Sequence, residues 1–206
     1  KEALKISKIR VAMGYTYSYD MLGEAAMTMT DAENYYEQYV LAIEELAKYA
    51  DHNEIKKNPG LSVKLSALHP RYEVSKHERL HLELYPKLLN LTQLAKQYNV
   101  GLNIDAEETE RLQISLELVE RLAHEPSLKG FDGIGIVVQS YQKRAPYVLD
   151  YLINLAKKTN RKFMVRLVKG AYWDAEIKHS QEQGLQGYPV FTHKYNTDIS
   201  YHACVR

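Results

Sequence analysis

Five short apolar runs recur along the chain: YTYSYDML (15–22), LSVKLSAL (61–68), VGLNIDAE (100–107), GIGIVVQS (133–140) and KFMVRLVKG (162–170). Runs of this kind, bounded by Gly, Pro or polar residues, predict buried strands. Between them the apolar positions return with a helical period. TDAE (30–33) reads as a capping box ahead of a stripe formed by Tyr36, Tyr39, Val40, Ile43, Leu46 and Ala47. SKHE (75–78) reads as a second box, opening a helix in which Leu84, Leu88, Leu91, Ala95 and Tyr98 align and Pro86 marks a kink. Glu107 to Ala123 and Ala145 to Thr159 predict two more helices, the latter with Tyr147, Tyr151, Leu152, Leu155 and Ala156 inward. Near the end, Tyr195, Ile199 and His202 or Ala203 share a helix face. A chain that starts at Lys1 and stops inside that pattern reads as a piece of something longer.

Strand and helix in alternation predict parallel strands joined by right-handed crossovers, hence an α/β fold in one domain. A doubly wound sheet and a (β/α)8 barrel both fit. A barrel typically takes about 250 residues, so five strands in 206 residues would be part of one. Composition changes this little: 45% hydrophobic and 26% charged residues are ordinary for a globular chain. The net charge of +1, from 27 basic and 26 acidic residues, gives no footprint for nucleic acid. No apolar run approaches the ~18 residues of a membrane span. The single cysteine, Cys204, excludes an intramolecular disulfide and points to a reducing compartment.

The chemistry gathers where the apolar runs end, at Asp20, Lys64 with Ser66, Asp105 with Glu107 and Glu108, Gln139, and Arg166 with Lys169. In both folds the carboxyl ends of strands build the site. Each residue also has a plain structural reading. Asp20 could cap a turn, Glu107 and Glu108 suit the acidic first turn of a helix, and Gln139 could satisfy a backbone group. Arg166 is hardest to explain that way, because a guanidinium between Val165 and Leu167 calls for a fixed anionic or acceptor partner. The histidines at 52, 69, 77, 81, 124, 179, 193 and 202 read as unpaired, and no metal site is expected. GFDGIGIVV places its glycines before a strand, which argues against a dinucleotide fingerprint. A strand-end lysine, Lys64 or Lys169, leaves a Schiff-base lyase or aldolase open as a second reading. A scaffold whose strand-end charges merely cap helices is a third.

Longer motifs carry a resemblance. YSYDMLGEA (17–25), LSVKLSALHPRY (61–72), NIDAEE (103–108), GIGIVVQSYQKR (133–144), RLVKGAYWDAEIK (166–178) and GYPVFTHK (187–194) resemble, in order, the proline dehydrogenase domain of the bifunctional bacterial flavoproteins called proline utilization A. The resemblance implies a distorted TIM-like barrel holding FAD, with residues 1–206 a partial barrel domain lacking its last strands and last helix. It implies oxidation of L-proline to pyrroline-5-carboxylate, with electrons passed to a membrane quinone. By the same resemblance Arg166 bonds the flavin ring, while Val168, Lys169, Gly170, Ala171, Trp173, Gln139 and Thr192 lie along the cofactor. Lys64 holds the substrate carboxylate, Tyr172 packs on the substrate ring, and Asp105 joins substrate to flavin. Asp20 and Glu24 line the substrate entrance, where Glu24 would pair with an arginine outside these residues. The parent would be cytoplasmic, peripherally membrane-associated, and equipped with a second, NAD-dependent aldehyde dehydrogenase domain. No nucleic-acid contact is expected through this domain.

Overall fold

A computed structural model describes residues 2–21 and 23–206. Leu22, the last residue of the first apolar run, lies outside the described residues. Five parallel strands, β1 (Ser18–Asp20), β2 (Gly60–Val63), β3 (Gly101–Ile104), β4 (Ile134–Gln139) and β5 (Met164–Val168), pair in strictly sequential order. That order excludes the doubly wound alternative, which must reverse direction at a switch point. Same-handed crossovers without reversal put the helices on one side, which gives an arc of a TIM-like barrel.

The helices among the described residues are α1 (Glu2–Val11), α2 (Met29–Ala47), α3 (Leu65–Leu68), α4 (His77–Gln97), α5 (Leu112–His124), α6 (Ala145–Thr159), α7 (Trp173–Glu182) and α8 (Lys194–Val205). Strand side chains alternate between two faces. On the helix-facing side, Leu61 and Val63 of β2, Leu102 and Ile104 of β3 and Ile134, Ile136 and Val138 of β4 join one core with Ile43, Leu84, Leu88 and Leu118. The other row carries Ser18 and Asp20, then Ser62, then Asn103, then Gly135 and Val137, then Met164 and Arg166, in the registers Ser62↔Asn103↔Gly135↔Met164 and Val137↔Arg166. This inner row is polar and small, and it is where charge can stand inside a sheet. Glycine at 135 leaves room for Asn103, since a Cβ would lie 2.3 Å from the Asn103 side-chain oxygen and displace that side chain.

Several local expectations are corrected. The first box forms from Thr28 and Asp31, two residues before the predicted one, with Thr28 Oγ1 accepting from Asp31 N–H and the Asp31 carboxylate from Thr28 N–H. The second does not form: a 3₁₀ turn, Val74–Lys76, leads into α4, which lacks a side-chain cap and runs on through Pro86. LSAL (65–68) is helical, not strand, because an all-buried run of four has no period to read. Glu107 and Glu108 precede α5 and do not sit in its first turn. Tyr147, expected inward, is 75% exposed; the face of α8 shared by Tyr195 and Ile199 is exposed, while Thr197 and Ser200 are buried. The helices α1 and α7 are not foreseen in the sequence.

Ile104 is fully buried among strands and helices. Ile104→Ala should cost about 2–5 kcal/mol, read as a fall in urea midpoint by circular dichroism with an unchanged slope.

Candidate functional site

The inner row delivers its charges to one rim. Lys64 follows β2 directly, and its Nζ donates to both oxygens of Asp20 (2.8 and 2.9 Å) and to Asp105 Oδ2 (3.0 Å). Asp105 follows β3, where its N–H still donates to Val63 O at 2.9 Å, so the carboxylate is aimed by the ladder itself. Its other oxygen accepts from Arg166 Nη2, and Arg166 Nη1 donates to Ser62 Oγ at 2.9 Å. Two cations thus share one carboxylate whose side chain is only 9% exposed. Burial works against the Lys64 charge, but Asp20 and Asp105 outweigh it and raise its pKa above the usual lysine value. An ammonium held charged is a poor Schiff-base nucleophile. Lys169 is likewise engaged, with Asp198 of α8. The lyase reading therefore loses its chemistry.

The loops behind the rim are tied to one another. Gln139, at the end of β4, donates through Nε2 to Glu107 O (2.9 Å) and accepts at Oε1 from Ala171 N–H (3.1 Å). The Glu107 carboxylate accepts from Ser66 N–H (3.0 Å) and from Arg111 Nη1 (2.8 Å). Ser66 in turn accepts at Oγ from Ala25 N–H and at its carbonyl from Ala26 N–H. Those contacts hold the loop carrying the exposed Glu24, in which Gly23 and Ala25 both have positive φ (122° and 56°). Tyr172 is half-buried, and its pKa is raised chiefly by that burial, then by the charges of Glu24, Glu107 and Glu108. Glu24 and Lys64 are thus both within electrostatic reach of Tyr172.

A groove of about 430 Å³ opens beside the rim, lined by Tyr141, Lys169, Gly170, Trp173, Phe191 and Thr192, among others. Gly170 has φ +140°, and a Cβ there would lie 2.4 Å from the Tyr141 ring. Trp173 remains 42% exposed while its Nε1 donates to Phe191 O at 2.9 Å. Val168 closes β5, its carbonyl accepting from Ser140 N–H.

The structure thus gathers Asp20, Lys64, Asp105 and Arg166 in one network, with Tyr172 and Glu24 at its mouth and Lys169, Gly170, Trp173 and Thr192 around the groove. Gln139 and Ala171 join the two through the loops. Sequence reasoning missed Ser62, Tyr141 and Asp198. Ser62 was accessible from parity, two residues before Lys64 on the same face; the others are brought in by tertiary packing. Asp20 is no cap, since it is spent on Lys64. The reading of the histidines as unpaired is corrected by the chain itself: residues 77–81 read HERLH, and the fold sets His77 and His81 against Glu117.

The family profile described as proline dehydrogenase matches residues 3–206. The chain belongs to the proline dehydrogenase family. The proteins named bifunctional protein PutA of Klebsiella aerogenes and Escherichia coli are each 55% identical over 205 residues, covering all of this chain and 16% of theirs. Proline dehydrogenase 1 of Bacillus subtilis is 26% identical over 206 residues and 57% of its length. Among solved structures, proline utilization A (PutA) of Bradyrhizobium japonicum, in a point-mutant form, matches with a TM-score of 0.89 at 53% identity, covering 91% of this chain and 19% of that one. PutA of Bdellovibrio bacteriovorus inactivated by N-propargylglycine matches with the same TM-score at 30% identity, over 98% of this chain and 22% of that one. The chain spans 16% of the length of the first-named PutA relatives.

Burial holds the Glu107 carboxyl above its ordinary 4.5. The folded chain then binds that proton more tightly than the unfolded chain, so stability rises as pH falls through the raised value towards the unfolded one. Glu107→Gln has no such proton. The wild-type protein should gain stability relative to this variant as pH is lowered from about 7.5 to about 5, measured as the difference in urea midpoints. A constant difference would contradict the raised value.

Proposed function

We propose that this chain is the cofactor- and substrate-holding part of a barrel that oxidises L-proline to pyrroline-5-carboxylate with FAD. The observation that carries the reading is the Asp20–Lys64–Asp105–Arg166 network at the strand ends, which the lyase and scaffold readings leave without purpose. The site suits the group. A groove with an exposed indole, a ring-packed glycine and the ammonium groups of Lys169 and Lys194 matches an aromatic dinucleotide bearing a pyrophosphate. Arg166, held in line by Asp105 and Ser62, would meet the flavin ring, with Gln139, Val168, Lys169, Gly170, Ala171, Trp173 and Thr192 along the cofactor. FAD, when bound, supplies the two-electron acceptor.

The chain's own residues supply binding and electrostatics. Lys64 stays cationic and would take the proline carboxylate. Asp20, 52% exposed, occupies the place on Lys64 that a substrate carboxylate would claim. Tyr172 would close over the pyrrolidine ring, with Glu24 beside it at the entrance. Asp105 keeps both cations oriented, so that one residue links the substrate side to the cofactor side. The amine must be neutral to give up hydride from the adjacent carbon.

In the parent protein, residues 1–206 would form the first five strands of the barrel. The half-exposed edge strand β5, with Val165 43% exposed, supports continuation beyond it. Electrons would pass to a membrane quinone, and an NAD-dependent aldehyde dehydrogenase domain would lie elsewhere in the chain. No helix among the described residues is long and apolar enough to cross a membrane. By the same proposal the parent would be a cytoplasmic enzyme that meets the membrane peripherally.

The test is the visible spectrum of the full-length protein carrying this chain. Flavin absorbance that bleaches anaerobically on addition of L-proline is expected. Lys64→Ala should keep the absorbance and raise KM for proline by at least about tenfold, through loss of a charge-assisted contact. Arg166→Met should lower the rate of bleaching itself. Absence of flavin, or flavin untouched by proline, would overturn the proposal.

A further inference from the structure

The outer helical layer carries a second cluster of ligand-type side chains, apart from the rim. His77 and His81 stand one turn apart at the start of α4, and Glu117 faces them from α5. His77 Nε2 lies 2.5 Å and His81 Nε2 3.7 Å from the same Glu117 oxygen. One ligand atom from each residue lies within 4.8 Å of the others. Bonds of about 2.0–2.1 Å to a tetrahedral zinc place ligand atoms about 3.3 Å apart. The observed separations bracket that spacing, and His77, 49% exposed, can swing to widen the short one. The second Glu117 oxygen accepts from Gln113 Nε2 at 3.0 Å, a hold of the kind that orients ligating carboxylates.

We propose that His77, His81 and Glu117 form a site for a divalent transition-metal ion of the zinc type, clamping α4 to α5. Two imidazoles and one carboxylate, with water completing the shell, favour such an ion over calcium or magnesium, which take oxygen ligands. Glu78, the glutamate of the HERLH stretch, is not among the gathered groups, so the site is a clamp without a hydrolytic base.

Arg121 opposes binding. Its Nη1 lies 3.2 Å from His81 Nδ1 and 3.0 Å from His81 O, with the guanidinium held over the Tyr85 ring. Donation to Nδ1 leaves the ring proton on Nε2, the atom an ion would need. Ligation therefore requires the other tautomer and breaks that one contact, while the bond to the His81 carbonyl remains. Arg121 lowers the affinity by its charge and by this tautomer preference.

The experiment is a titration of the full-length protein, stripped of metal by a chelator, with Zn²⁺ alone against a chromophoric competitor. The wild-type protein should bind one ion more per chain than the His77→Ala/His81→Ala variant. Glu117→Gln and Gln113→Leu should each weaken that ion by about tenfold or more, and Arg121→Gln should tighten it several-fold. Circular dichroism should be the same for all. Equal stoichiometry in the double-histidine variant would overturn the proposal. So would wild-type affinity in Glu117→Gln, which would leave only a surface histidine pair.

Discussion

The rim depends on one shared carboxylate. Lys64 follows β2 and Arg166 lies in β5, with two strands between them, and Asp105 follows β3, the strand beside β2. Without Asp105, two cations would face each other in a partly desolvated row, which neither the fold nor the chemistry could use. The carboxylate is placed by its own backbone, still hydrogen-bonded to Val63, and not by a flexible loop. Arginine suits the distant position because its planar fork reaches two acceptors, Ser62 and Asp105, at once.

From that constraint the architecture of the arc follows. A sheet that is apolar on both faces could not hold the triad, and one polar on both could not bury its helices. The observed strands divide the work by parity. Leu61, Val63, Leu102, Ile104, Ile134 and Ile136 hold the helices, while the alternate positions supply hydroxyls, an amide, charge and glycine. Arg166 stands on the inner row of β5, the edge strand of the described sheet.

Much of this was legible in the chain. The five runs, their parallel arrangement and the clustering of charge at their ends follow from period and punctuation alone. Choosing barrel over doubly wound sheet did not, because strand order is a tertiary fact that no local pattern encodes. The demand of Arg166 for a partner could be read, and Asp105 supplied it. Glu107 was misread as a helix-dipole residue because its neighbours look like a first turn; only the fold brings Ser66 against it. The second capping box failed for a similar reason, its serine being turned towards Glu73 by a 3₁₀ turn. The histidine pair is different. Its spacing stands in plain letters, and what was hidden was Glu117, forty residues from His77 and reachable only once α4 and α5 pack.

The amide of Gln139 binds main-chain groups at both ends, a carbonyl after β3 and an N–H after β5. Such a tie is indifferent to which side chains occupy 107 and 171, so long as the backbone keeps its course. At these two points the course of the backbone is held without calling on the side chain of the partner residue, whereas the Glu107 carboxylate and the Ser66 hydroxyl hold their neighbours through side-chain chemistry.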